Sequence, residues 1–237
     1  MNRLVMMLLK NVFRIPGVFG KLCRYAKNPD KYPEQERWDY IRHVLQLAVN
    51  AGNVDLRVTG LENIPETPGF MLYGNHQGLF DVLAIGSTCE RPLGIVYKKE
   101  LKDVPILKQI LAATKSFAMD REDVRQSLTV IQNVTKEVQS GRNYVIFPEG
   151  TRSKKGNVMN EFHGGSFRCA VKAKCPVVPM ALIDCFKVLD QKGSKPLTVQ
   201  LHYLPAIEYE EYKDMKPAQL AELVKSRIQE CIDQHIK

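Results

Sequence analysis

From residue 54 onward, short apolar runs alternate with stretches of helical periodicity, and this alternation restricts the possible folds more than any other feature of the chain. The apolar runs fall at 54–58, 70–73, 93–97, 116–119, 144–147, 177–183 and 197–203. Between them, residues 79–86, 101–113 (interrupted near Pro105) and 166–174 predict helices. Val124, Leu128, Ile131, Val134 and Val138 keep helical register up to Gly141, and Leu220, Val224, Ile228 and Ile232 do so after Pro217. Strands that alternate with helices are joined by crossovers, so the expected fold class is α/β, a sheet with helices on both faces. A chain of 237 residues can bury a sizeable core in one domain.

Residues ahead of the first strand read differently. Residues 1–28 carry Arg3, Lys10, Arg14, Lys21, Arg24 and Lys27 with no acidic residue. On a helix, Arg3, Lys10, Arg14 and Lys21 draw one basic stripe, with Val5, Leu8, Leu9, Val12 and Phe13 largely off it. Pro16 should kink or split the segment. One-signed charge beside Met, Leu and Phe suits a helix lying at anionic headgroups, and a helix packed on the domain is the alternative. A second helix is expected from Pro33 to about Asn50, with Trp38, Ile41, Leu45 and Ala48 on its apolar face and Gly52 as its stop. Two helices are thus expected before the first strand. Residues 1–51 read as a helical membrane-docking element and 52–237 as the α/β domain. No uncharged stretch approaches the ~20 residues of a membrane span. No secretory signal with a small-residue cleavage site is evident. The expected placement is peripheral and monotopic, on the cytoplasmic face of a membrane.

The net charge of +8 favours an anionic partner. No helix or finger motif of a DNA reader is present, so a membrane surface or a phosphorylated substrate is expected and nucleic acid is not. Cys23, Cys89, Cys169, Cys175, Cys185 and Cys231 contain no CxxC pair and read as reduced cysteines in a cytosol-facing protein, implying no zinc site.

Two polar clusters interrupt the apolar pattern. Residues 75–81 read Asn-His-Gln-Gly-Leu-Phe-Asp and follow a strand, at the end where open α/β sheets bind their ligands. Five helical residues turn through about 500°, so His76 and Asp81 would not share a helix face. They meet if His76 stands in the turn and Asp81 reaches back from the first helical turn. Asp81 then fixes one imidazole nitrogen and leaves the other free as a base. The second cluster, Pro148-Glu149-Gly150-Thr151-Arg152, follows the strand at 144–147. Gly150 allows close approach of backbone to ligand, and the planar guanidinium of Arg152 suits phosphate. His163 could touch a phosphate, with a turn residue as the favoured reading; Tyr73 reads as strand packing, and His43, His202 and His235 show no partner pattern.

Taken in order, these residues resemble the glycerolipid acyltransferases, whose type is the bacterial 1-acyl-sn-glycerol-3-phosphate acyltransferase. Asn75-His76 through Asp81 resembles the NHxxxxD motif of that family. Lys98-Lys99-Glu100-Leu101, Pro105 and Asp120-Arg121 resemble its second motif, although Lys108-Gln109 stands where a Gly is usual. Phe147 to Ser153 matches FPEGTRS without a mismatch, and Val178-Pro179-Met180 resembles the fourth motif. The resemblance implies a mixed, largely parallel sheet flanked by helices, often with an N-terminal two-helix membrane-docking element. It implies His76 as general base and Asp81 as its orienter. It further implies Glu149, Gly150, Thr151 and Arg152 as glycerol phosphate ligands, with Lys98 and Arg121 as further phosphate contacts. The implied reaction acylates the 2-hydroxyl of lysophosphatidic acid directly from an acyl carrier protein or coenzyme A thioester, giving phosphatidate with no metal or cofactor. Glycerol 3-phosphate or a larger lysophospholipid is an alternative acceptor, and a membrane lipid-binding protein without turnover is the non-enzymatic alternative.

Overall fold

The computed structural model describes residues 2–236. Three α-helices come first: α1 (Arg3–Lys10), α2 (Ile15–Lys27) and α3 (Glu34–Ala51). Then follow β1 (Val54–Thr59), β2 (Met71–Gly74), α4 (Phe80–Thr88), β3 (Leu93–Lys98), α5 (Leu107–Ala113) and β4 (Phe117–Met119). The chain continues through α6 (Val124–Gln139), β5 (Asn143–Ile146), α7 (Arg168–Ala173) and β6 (Val177–Ile183). It ends with α8 (Phe186–Leu189), β7 (Leu197–Tyr203), α9 (Tyr209–Tyr212) and α10 (Pro217–His235). Every apolar run of the sequence becomes a strand.

The strands form one seven-stranded sheet in the order β1-β7-β6-β2-β5-β3-β4. Every neighbouring pair is parallel except β6 and β7. Strands β2, β5 and β6 are buried along their whole length, as strands covered on both faces must be, whereas the edge strand β1 alternates between half-buried and exposed. The two-residue side-chain period divides each central strand between two cores. Leu72, Val145, Met180 and Leu182 face a core shared with α1 to α5 and α8. Met71, Tyr73, Tyr144, Ile146, Ala181 and Ile183 face a second core shared with α6, α7, α9 and α10.

The N-terminal region has three helices where the sequence led us to expect two. Pro16 occupies the first turn of α2, where its missing N–H costs nothing, so it starts a new helix. The helices pack on the sheet through Met7, Leu22, Tyr25, Trp38 and Ile41. Arg3 corrects the expected basic stripe. Its side chain is buried and donates to the carbonyl oxygens of Lys195 at 2.8 Å and Lys187 at 3.4 Å. It therefore fastens α1 to the domain and is not available to headgroups. Leu4, Val5, Leu8, Leu9, Val12 and Phe13 remain exposed, Phe13 almost completely at 98%. Among the described residues no helix is long and apolar enough to cross a membrane.

Candidate active site

Strands β2, β5, β3 and β4 are adjacent and parallel, so their carboxyl ends lie along one edge of the sheet. The loop after β2 carries His76, the loop after β5 carries Glu149 to Arg152, Lys98 ends β3, and Arg121 follows β4. The topology changes direction beside β2, since the chain leaves it for β3 and β4 on one side and later for β6 on the other. Ligand crevices form at such switch points.

His76 stands in the turn before α4, and Asp81 lies in the first turn of that helix. This is the arrangement that the five-residue spacing requires. His76 Nδ1 is 2.8 Å from Asp81 Oδ2. The same oxygen accepts from the backbone N–H groups of Gln77 at 2.6 Å and Gly78 at 2.9 Å. Because Asp81 Oδ2 accepts three donors, Nδ1 carries the imidazole proton and Nε2 keeps its lone pair. The ring also stacks on Phe147, with centroids 4.3 Å apart and planes at 22°. Asp81 is fully buried, while the His76 side chain is 18% exposed. The base is held on two sides and open on a third.

Glu149 has a structural task beside the ligand role that the resemblance implies. Its carboxylate is buried, with Oε1 accepting from the His76 N–H at 2.7 Å and Oε2 from the Asn160 N–H at 2.8 Å. Each oxygen thus holds one backbone N–H and keeps a further lone pair. Glu149 clamps the β5 loop to the histidine loop, helped by the Ser153 N–H donating to the His76 carbonyl at 2.9 Å. Burial pushes its carboxyl above the ordinary 4.5, and the bonds from His76 and Asn160 oppose that shift.

Gly150 has φ +70°, and a Cβ there would lie 3.3 Å from His163 Cδ2 and 4.0 Å from Arg121 Nε. The absent side chain leaves room between two groups able to donate to an anion. His163, for which the sequence left a phosphate contact as the alternative to a turn role, thus flanks this space together with Arg121. Its own N–H is held by the Pro148 carbonyl at 2.9 Å. Thr151 is exposed on the same loop. Arg152 is partly exposed and donates from Nη1 to Asp190 at 3.2 Å. Asp190 in turn lies against Gly78, where a Cβ would approach its Oδ2 to 3.0 Å. Lys98 is exposed and paired with Glu100 at 3.1 Å, which leaves it at the margin.

Beneath these loops, Gln77 donates to Asn157 Oδ1 at 2.7 Å and accepts from the Cys185 N–H at 2.8 Å. Asn157 also pairs with Asp184 through two bonds of 2.9 Å. Asn75 exchanges two backbone-like bonds with Leu182 on β6, at 2.9 and 2.8 Å. These partners lie far away in sequence, so only the fold reveals them. A small apolar cleft of about 50 Å³ begins one residue beyond Asp81, between α3, α4, α5 and β3. Ile41, Leu45, Val82, Ile85, Ile95 and Ile110 are among its walls.

Residues 55–183 match the family described as Acyltransferase. The chain is 25% identical over 190 residues to a 1-acyl-sn-glycerol-3-phosphate acyltransferase of Borreliella burgdorferi, covering 79% of this chain and 76% of that protein. It is 35% identical over 144 residues to the protein of the same name from Pseudomonas aeruginosa, covering 60% of this chain and 55% of that one. It spans 49% of the length of the Saccharomyces cerevisiae relative. Its fold matches the crystal structure of the 1-acyl-sn-glycerophosphate (LPA) acyltransferase PlsC from Thermotoga maritima, with a TM-score of 0.77 at 20% identity over 98% of this chain and 95% of that one. The family match covers more than half of the residues and contains both polar loops: the chain belongs to the acyltransferase family.

Proposed function

We propose that the protein transfers a fatty acyl group from an acyl thioester to the sn-2 hydroxyl of 1-acyl-sn-glycerol 3-phosphate, giving phosphatidate. The observation that carries this reading is the His76 ring. It is fixed by Asp81 and Phe147, turns Nε2 to the open side, and shares a sheet edge with Arg121, His163 and Arg152. The names of the relatives supply the acceptor.

The acceptor phosphate binds beside Gly150, with Arg121 and Arg152 as the cationic contacts. His76 Nε2 takes the proton of the 2-hydroxyl as the oxygen attacks the thioester carbonyl carbon, and Asp81 stabilises the imidazolium that forms. The tetrahedral intermediate collapses with cleavage of the carbon–sulfur bond. The thiolate leaves, and His76 returns the proton to it. No acyl-enzyme is formed. Either coenzyme A or acyl carrier protein supplies the thioester.

In this reading the exposed face of α1 and the following turn docks on an anionic membrane surface. Leu4, Leu8, Leu9 and Phe13 enter the interface, with Lys10 and Arg14 at the headgroups. The placement is peripheral and on the cytoplasmic face, where the six free cysteines stay reduced. The test is product identification by mass spectrometry after the purified protein meets a mixed pool of lysophosphatidic acid, glycerol 3-phosphate and lysophosphatidylcholine with each donor. Phosphatidate as the main product supports the reading. Preferential acylation of another acceptor, or no transfer with either donor, overturns it.

A further inference from the structure

One cavity lies away from the acyl-transfer site. It holds about 540 Å³ between the end of β7, the loop after β1 and the last turns of α10, and none of the site residues lines it. Three side chains that the reaction does not use meet at its wall: His202 from β7, and Cys231 and His235 from α10. Positions 231 and 235 are one helical turn apart, so their side chains share a face of α10. That end of the helix is about 25 Å along its axis from Ala218, which packs against Gly164 beside the active site.

We propose that His202, Cys231 and His235 form a zinc-binding site that fastens the end of α10 to the β7–β1 edge of the sheet. One donor atom from each residue lies within 4.8 Å of the others. Tetrahedral zinc, with Zn–S near 2.3 Å and Zn–N near 2.0–2.1 Å, sets donors about 3.3–3.6 Å apart. Closing the site therefore requires movement of about an ångström, which the exposed His235 in the last turn of α10 can supply.

The surroundings prepare the donors. His235 Nδ1 donates to the Cys231 carbonyl at 2.8 Å, which leaves Nε2 with the lone pair. The His202 ring is gripped by the Thr59 hydroxyl at Nδ1, 2.7 Å away, and by Gln200 at Nε2, 3.2 Å away. Gln200 Oε1 only accepts, so Nε2 carries the proton and Nδ1 holds the lone pair, which the Thr59 hydroxyl must give up to the metal. The two imidazole rings already face each other with centroids 4.1 Å apart. One thiolate with two imidazoles selects a borderline-soft ion such as zinc over magnesium or calcium. The fourth coordination position faces the cavity, whose wall offers Glu62 and Glu230 as well as space for water.

The test uses the full chain, reduced and stripped with a chelator, then titrated with Zn²⁺ in competition with a chromophoric chelator. One equivalent should bind, and Co²⁺ in its place should give a thiolate-to-cobalt charge-transfer band. At a hundredfold excess over the dissociation constant, zinc should raise Tm by about 5–10 °C. His235→Ala changes an exposed residue and should weaken zinc binding by tenfold or more without moving the metal-free Tm. Cys231→Ser should abolish the charge-transfer band, while His76→Ala should bind zinc like the unmodified chain. Failure of the unmodified chain to take up one equivalent would overturn the proposal. So would a thiolate band that persists in both His235→Ala and Cys231→Ser.

Discussion

Asp81→Asn separates the chemistry of the site from its architecture. Asp81 Oδ2 is a hub for three donors: the His76 ring at Nδ1 and the buried N–H groups of Gln77 and Gly78. An asparagine side chain that keeps its oxygen in that place still accepts both backbone bonds, so the loop should hold. The negative charge beside the imidazolium is lost. If the amide nitrogen turns to the ring instead, the imidazole adopts the tautomer that protonates Nε2, and the base is gone. Either way kcat should fall by about 10²–10⁴, the range for a positioned general base, with the acceptor KM moving little. Asp81→Ala removes the hub as well. It strands two buried N–H groups at about 1–3 kcal/mol each, so it should cost roughly 2–6 kcal/mol of stability, whereas the asparagine variant stays near the parent Tm. The assay is thiol release from the acyl thioester at varied acceptor, alongside thermal unfolding. A kcat within about threefold of the parent for Asp81→Asn, with an intact Tm, would refute Asp81 as the orienter of the base.

Four further outcomes test the surroundings. Arg152→Ala should raise the acceptor KM by roughly 10–100-fold with little effect on the donor KM, as expected for a lost charge-assisted bond. Asp190→Asn should lower the acceptor KM by roughly two- to fivefold, because its partly exposed carboxylate competes with phosphate for Arg152; a raised KM would mean that it positions the arginine. Glu149→Gln addresses the carboxyl raised by burial above 4.5. The folded state then holds more protons than the unfolded one in the window from 4.5 up to the folded value, so stability contributed by Glu149 falls as pH rises through it. Denaturant unfolding should show the parent losing stability relative to the variant across that window, and an opposite slope would contradict the burial argument. Leu9→Asp with Phe13→Asp should weaken anionic-vesicle binding by about a hundredfold, the equivalent of about 3 kcal/mol of apolar transfer, while activity on a short-chain soluble acceptor survives. Undiminished co-sedimentation would remove α1 from the docking surface.

The sequence reveals whatever is local. Seven apolar runs mark seven strands because a strand covered on both faces leaves no polar positions, and ends move by only a residue or so, as from 70–73 to Met71–Gly74. Helices α8 and α9 escape notice because four residues carry no periodicity. Strand order is not legible, since the pattern says nothing of which crossover inserts β5 between β2 and β3 or of the antiparallel turn from β6 into β7. The same division holds at the site. His76 and Asp81 are close in sequence and their geometry follows from spacing. The clamp made by Glu149 is not legible, because its backbone partners, the amides of His76 and Asn160, are brought to it by the fold. Arg3 looks like a headgroup contact until the loop carrying Lys187 and Lys195 folds over it. His202 lies on a different element from Cys231 and His235, so cysteine spacing alone shows no metal motif.

The central claim is that His76 is the base for acyl transfer to lysophosphatidic acid. The most direct measurement compares the purified parent with His76→Ala, using a radiolabelled acyl thioester and 1-acylglycerol 3-phosphate at saturating concentrations. Phosphatidate should form with the parent and form about 10²–10⁴ times more slowly with the variant, at similar acceptor KM. Turnover by His76→Ala above half that of the parent would contradict the account.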